Sequence, residues 1–190
     1  MGSRTRIREP MTLEEFLKLP EDRPFLEYID GRIEAKVAPQ KKHTEIEAEL
    51  RNCFNAFATP RKLGRAYVEL RCTFAGRSIV PDVVFLLKDH IEIDASGEPV
   101  DVTPWPPDVH VEVISPDQGM KKSRGKLMHS TSNGCSLGWL IHPEKRTIDV
   151  YRPGRPPERM APDGILEGEP VLPGFRLPVA EVFGWLKLDL

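Results

Sequence analysis

The sequence predicts a single α/β domain built on a mixed β-sheet, and three observations carry that expectation. Segments with strand character outnumber those with helical periodicity, and the two kinds alternate along the chain. The length of 190 residues fits one domain on a prior of about 100–200 residues per domain, long enough to bury a core without disulfide staples. Hydrophobic residues make up 39% and charged residues 29%, a globular rather than a disordered balance. Nineteen prolines, about twice the usual share of roughly 5%, favour extended and turning backbone.

Met11–Pro20 reads as a short helix, with Thr12 and Glu15 spaced as a capping box and Pro20 as its stop. Phe25–Ile29 and Arg32–Ala35 read as a hairpin about the Asp30-Gly31 turn. From His43 to Phe57 the residues Ile46, Leu50, Cys53, Phe54 and Phe57 share one helical stripe, which Pro60–Gly64 breaks. Ala66–Phe74 alternates as a strand with a turn at Ala75-Gly76. Ile79–Leu87, apolar except for Pro81-Asp82, reads as a central strand buried on both faces. Residues 88–107 are a polar, Pro-rich excursion. Asp108–Ser115 is a strand ended by Pro116, and Gly119–Thr131 a helix. Trp139–Ile141 and Thr147–Tyr151 are two more strands, Pro153–Pro173 a region of short edge strands, and Val179–Leu186 a terminal helix. No internal repeat is present.

Several function classes are disfavoured. No apolar run approaches the roughly 18–20 residues of a membrane helix. Met1–Arg6 is followed by no apolar stretch, so no secretory signal is expected, and residues 1–10 read as a flexible N-terminus. Three cysteines, Cys53, Cys72 and Cys135, fit neither a disulfide framework nor a zinc ribbon, and point to the cytoplasm. A formal charge of −2 argues against binding nucleic acid by bulk charge, but a local basic site stays open.

Asp82 is the most informative residue. A carboxylate inside Val80–Leu87 costs several kcal/mol unless a cation, a basic partner or backbone donors compensate it. The plainer alternative is an acid capping the start of the strand. Glu112 stands in Val109–Ile114, where alternation puts Val109, Val111 and Val113 on one face and His110, Glu112 and Ile114 on the other. It too requires a partner. Two such acids on separate core strands could converge on one hard cation, and magnesium prefers one or two carboxylates with several waters. Beyond Glu112, Lys121, Lys122, Arg124 and Lys126 crowd one predicted helix. Lys122, Lys126 and His129 share a face there, so a lysine could approach a phosphate over the acids. The alternative is a solvated basic surface.

Pro81-Asp82, Glu112 in an apolar strand and a following lysine resemble the PD-(D/E)xK nuclease superfamily. The lysine usually stands two residues after the acid, a position held here by Ile114. Glu112–Pro116 followed by Lys126, Gly134, Trp139 and Pro143 is similar to one branch, the "putative restriction endonuclease" family known as the Uma-two group, in which the next helix supplies the lysine. Met11–Leu17, Glu27–Gly31, His43 and Thr147–Tyr151 fall in the same order, so the resemblance extends over most of the chain.

The resemblance implies a restriction-endonuclease-like mixed central sheet flanked by helices, and a metal-dependent endonuclease that hydrolyses phosphodiester bonds of DNA. Asp82 and Glu112 match the metal-binding acids and Lys126 the displaced catalytic lysine. Glu27 matches an acid that can join the site, and His43 a helix-opening histidine near it. The implied cofactor is Mg²⁺, with Mn²⁺ able to substitute. His43, Lys122 and Arg124 are the expected substrate-binding residues. A homodimer would suit the two-fold symmetry of duplex DNA. Two plainer roles stay open: Glu27 as a simple ion-pair partner and His43 as an ordinary helix N-terminal residue.

Lys122 and His129 stand where an acid and a tyrosine are usual, and His142 where an aspartate is common. These departures remove no core residue, but they fit the alternative of a catalytically weak or inactive nuclease-fold protein that binds DNA or serves a structural role. A histidine-based metal hydrolase is disfavoured because the five histidines show no HExxH or HxH spacing. There is no GxSxG and no Gly-rich phosphate loop.

Overall fold

Alternating and continuous apolar segments sort into a large and a small sheet in the computed structural model, which describes residues 11–115 and 119–188. The flexible N-terminus expected over residues 1–10 and the strand stop at Pro116 lie outside the described residues.

Helix α1 (Leu13–Phe16) carries the capping box: Glu15 N donates to Thr12 Oγ1 at 3.2 Å, and Thr12 N to Glu15 Oε2 at 2.8 Å. Strands β1 (Leu26–Ile29) and β2 (Arg32–Ala35) form the hairpin. Its turn has positive φ at both central residues, 51° at Asp30 and 79° at Gly31, matching the twist of the strands it joins. Helix α2 (Lys41–Ala58) buries Ile46, Leu50, Phe54 and Ala58, while Cys53 and Phe57 are only partly covered.

The next segment departs from the sequence reading. Instead of one strand over 66–74 and another over 79–87, there are four: β3 (Gly64–Val68), β4 (Cys72–Phe74), β5 (Arg77–Ile79) and β6 (Val83–Leu87). They form one long antiparallel hairpin that changes sheet at mid-length. β3 and β6 pair in the large sheet as far as Val68 and Val83, and the pairing resumes at Cys72 and Ile79 in the small one. The break has two causes. Glu69 takes φ +50°, and Pro81 brings no N–H to a ladder. Glu69 N donates to Asp82 O at 3.1 Å across the bend, so Asp82 sits at the point where the hairpin leaves one sheet for the other.

A 3-10 turn (Lys88–His90) opens the polar excursion. Strand β7 (Val109–Val113), helix α3 (Met120–Ser132) and strand β8 (Leu137–His142) form a crossover whose two strands are parallel. Gly138 lets α3 approach β8, because a Cβ there would lie 2.8 Å from Leu127 Cδ2. β9 (Thr147–Tyr151) and β10 (Glu158–Arg159) extend the sheet, β11 (Ile165–Glu167) pairs with β12 (Arg176–Pro178), and α4 (Val179–Gly184) ends the described fold.

The large sheet runs β10-β9-β8-β7-β6-β3, and the small one β2-β1-β5-β4. Its strand pairs are antiparallel except β7–β8, so the mixed sheet flanked by helices is as the resemblance implied. Val109, Val111 and Val113 pack into the main core with α2 and α4. On the opposite face Ile114, Leu127, Leu140 and Tyr151 form a second cluster under α3.

Phe54 is fully buried against Phe85, Trp139 and Phe175. Phe54→Ala is expected to lower stability by about 3–5 kcal/mol in urea unfolding; an unchanged midpoint would contradict this packing.

Candidate active site

The bent hairpin and the crossover bring six elements to one buried place. β6 and β7 are antiparallel with Val83 opposite Val111, and the register continued by one residue sets Asp82 beside Glu112. Both carboxylates are fully buried, as is Glu27 on β1. Asp82 Oδ2 accepts from Val113 N at 2.7 Å, and Glu27 Oε1 from Val80 N at 2.9 Å. Asp82 is thereby fixed to the backbone of β7, and Glu27 to the bend between β5 and β6.

Lys126, from the middle of α3, turns inward and is buried. Its Nζ lies 2.7 Å from Glu112 Oε1, 3.0 Å from Glu27 Oε1 and 3.5 Å from the Val80 carbonyl. Burial alone would push this ammonium toward neutrality. Glu112, Glu27 and Asp82 outweigh burial and hold it well above the ordinary lysine value. For Glu27 burial raises the carboxyl, but Lys126 and Lys122 pull it further down, to about 2. Lys122 reaches Glu27 Oε2 at 3.0 Å and Glu34 Oε2 at 3.1 Å. Glu112 is also held by His110, whose Nε2 is 2.8 Å from Oε1 while Nδ1 is 2.7 Å from Ser130 Oγ.

Asp82 has a second set of neighbours. Lys36, just beyond β2, places Nζ 2.8 Å from Oδ1 and 3.5 Å from Glu69 Oε1. His43, in the first turn of α2, places Nε2 3.3 Å from Asp82 Oδ2 and 3.2 Å from Glu47 Oε1, with Nδ1 2.9 Å from Ser115 Oγ. Burial pushes the His43 imidazole down, but Asp82 and Glu47 outweigh it and raise it to about 10. Burial works against an ionised Asp82, yet Lys36 and His43 hold its carboxyl below the usual range. Glu47 is instead pushed up, because burial and the charge on Asp82 outweigh the lowering effect of His43.

The residues fit a divalent cation. Glu112 Oε2, Asp82 Oδ1, Glu27 Oε2 and Glu47 Oε1 are buried oxygens without a hydrogen bond, and the close ion contacts some of them make fall outside hydrogen-bond geometry. Carboxylate oxygens are the donors that Mg²⁺ and Mn²⁺ take. One atom each from His43, Glu47 and Asp82 also lies within 4.8 Å of the others, as a three-ligand set would require.

Of the residues singled out from the sequence, Asp82, Glu112, Lys126, Glu27, His43 and Lys122 lie in this one cluster. Arg124 does not: its Nη2 is 3.6 Å from Asp149 Oδ2 on β9, and its side chain is 46% exposed. Two positions along a helix turn a side chain by about 200°, so Arg124 faces away from Lys126. His129 stacks on Phe74 with centroids 4.9 Å apart, holding α3 to the small sheet. His142 lies at the end of β8 and accepts from Lys145 N at 3.3 Å. Lys36 and Glu47 were not singled out. Glu47 had a signal in its spacing of four from His43 on one helix face; Lys36 had none. Cys72 and Cys135 are not activated nucleophiles, since burial pushes their thiols up to about 12.

Residues 13–180 match the family described as "Uma2: Putative restriction endonuclease". Among solved structures, a crystal structure from Anabaena variabilis, titled a putative nuclease belonging to DUF820, is similar at 37% identity with a TM-score of 0.90. The similarity covers 94% of this chain and 100% of that one. No curated protein matches the sequence.

Replacing Lys126 removes the ammonium that the buried Glu27 and Glu112 carboxylates share. Lys126→Met is expected to cost about 3–5 kcal/mol at neutral pH. Because Glu27 is depressed from 4.5 to about 2, its contribution is present above pH 4.5 and is lost as pH falls toward 2. The gap between wild type and Lys126→Met should therefore narrow in urea unfolding at pH 3. A gap of equal size at pH 7 and pH 3 would contradict the ion pairing.

Proposed function

Since the chain belongs to the Uma2 family, described as "Putative restriction endonuclease", we propose that it is a divalent-metal-dependent endonuclease that hydrolyses phosphodiester bonds of DNA. One observation carries the reading: the Lys126 ammonium is buried between the Glu27 and Glu112 carboxylates, beside Asp82 on the adjoining strand. This arrangement supports the PD-(D/E)xK pattern with its lysine displaced to the helix.

Asp82 and Glu112 would hold the ion, with Glu27 contributing directly or through water. The bound ion supplies Lewis acidity toward a phosphate oxygen and makes a water more acidic. Lys126 would offer a fixed positive charge to the phosphoryl oxygens on which negative charge builds up, and Glu27 and Glu112 keep that ammonium aimed. His110 and Ser130 fix the rotamer of Glu112. Lys122, 22% exposed at its side chain, lies at the rim of the cluster, where a phosphate can reach it. Mg²⁺ is the proposed ion, with Mn²⁺ as a substitute. The three free thiols fit a reducing compartment such as the cytoplasm. A homodimer would present two such sites to the two strands of a duplex.

Supercoiled plasmid with Mg²⁺ or Mn²⁺ tests the reading. Wild type should nick or linearise it, Asp82→Ala should cut at least about 100-fold more slowly, and Lys126→Ala similarly. Cutting that survives Asp82→Ala removes the assignment. A wild type that binds DNA but never cuts it favours the inactive alternative.

The closeness of His43, Glu47 and Asp82 favours a second reading of the ion's place, in which an imidazole joins the ligands. The two differ in calorimetric titration with Mn²⁺. Glu47→Gln should weaken binding at least about tenfold if these three hold the ion, and leave it unchanged if Asp82 and Glu112 do.

A further inference from the structure

We propose that the groove beside Lys36 holds one unpaired nucleobase of a DNA strand whose phosphate reaches the acid cluster, an inference that rests on the nuclease reading above. The groove has a volume of about 510 Å³ and is formed in part by Arg23, Phe25, Lys36, Val37, Pro39 and Glu69. That volume is typical of pockets for organic ligands, which run from about 300 to 1,000 Å³.

Its inner wall is continuous with the site. Lys36 lines the groove, and its buried ammonium is 2.8 Å from Asp82 Oδ1. A group seated in the groove is therefore one side chain away from the carboxylates. The rest of the lining has the chemistry of a base site. Phe25 presents a ring face, on which the Arg23 guanidinium lies 4.8 Å from the centroid. Arg23 is 70% exposed at its side chain, so it can swing away or close over an inserted ring. Val37 is an exposed aliphatic residue at the groove, 44% accessible. Aromatic and guanidinium planes are the surfaces on which unstacked bases are held.

Among the described lining residues the one acid adds selectivity. Glu69 stands at the strand bend, 3.1 Å from Arg23 and 3.5 Å from Lys36, so its charge is compensated on both sides. A carboxylate accepts from an exocyclic amino group, as on cytosine N4, and has nothing to accept from the corresponding oxygen of thymine. A paired and stacked base offers only its edge, whereas a groove walled by a ring takes a face. The geometry therefore favours a single-stranded or extruded nucleotide over an intact duplex.

The test uses the full chain, with cutting suppressed by EDTA or by Ca²⁺ in place of Mg²⁺. Single-stranded oligonucleotides carrying 2-aminopurine are titrated by fluorescence, and oligo-dC is compared with oligo-dT. Binding should change the 2-aminopurine signal, and oligo-dC should bind at least about fivefold tighter than oligo-dT. Phe25→Ala should weaken binding by roughly tenfold. Val37→Glu, at an exposed position with no core packing to lose, should do the same. Single strands that do not bind, or that bind both variants as they bind wild type, overturn the proposal. If wild type cuts plasmid with Mg²⁺ while both variants bind like wild type, the groove fails and the nuclease reading stands. If the variants weaken binding but no divalent ion supports cutting, the groove stands and the nuclease reading fails.

Discussion

Four carboxylates, those of Asp82, Glu112, Glu27 and Glu47, are buried where one hairpin leaves the large sheet. Removing a charge from water costs several kcal/mol even after relaxation. That cost fixes the surrounding structure. Lys126 must turn inward from α3, Lys36 must leave β2 toward Asp82, and His43 must open α2 against Asp82 rather than against solvent. The small sheet, α2, the large sheet and α3 are held to one another through these contacts as well as through their apolar faces.

Such a cluster is a poor way to make a protein stable. Well-packed apolar side chains of similar volume often do as well or better than buried ion pairs. The main core needs no such help, since Phe54, Trp139 and their neighbours fill it with aromatic and aliphatic groups. On the function proposed above, the fixed carboxylates, the fixed ammonium and the rim lysine would instead serve a cation and a phosphate. The match to the Uma2 family and the likeness to a structure titled a putative nuclease agree with that proposal.

Much of the fold was legible because local signals and tertiary packing agree. The Thr12–Glu15 box, the Asp30-Gly31 turn and the Ile46–Leu50–Phe54 stripe each act within a few residues. The bend of the hairpin was not legible. Apolar patterning says that a residue is buried, not which sheet it pairs with, and Val80 continues the run although it pairs with neither strand partner. Asp82 and Glu112 stood out because acids are rare between apolar neighbours. Helical spacing put Lys126 on a face with Lys122 and His129, but only the family resemblance separated it from them, because a run of cations on a helix looks the same whether one of them is buried or none. Lys36 follows an exposed strand and Glu47 sits among Glu45 and Glu49, so neither contrasts with its surroundings. Arg124 belonged to the same basic run but to the other side of the helix, a distinction that depends on angle rather than composition.

The central claim is that this cluster binds a divalent ion through its buried acids. An anomalous difference map from a crystal grown with Mn²⁺ tests it most directly. The account predicts a peak among the carboxylates, touching Asp82 and at least one of Glu112, Glu27 and Glu47. Density confined to surface acids, with the Lys36 and Lys126 contacts to Asp82 and Glu112 intact, would contradict it.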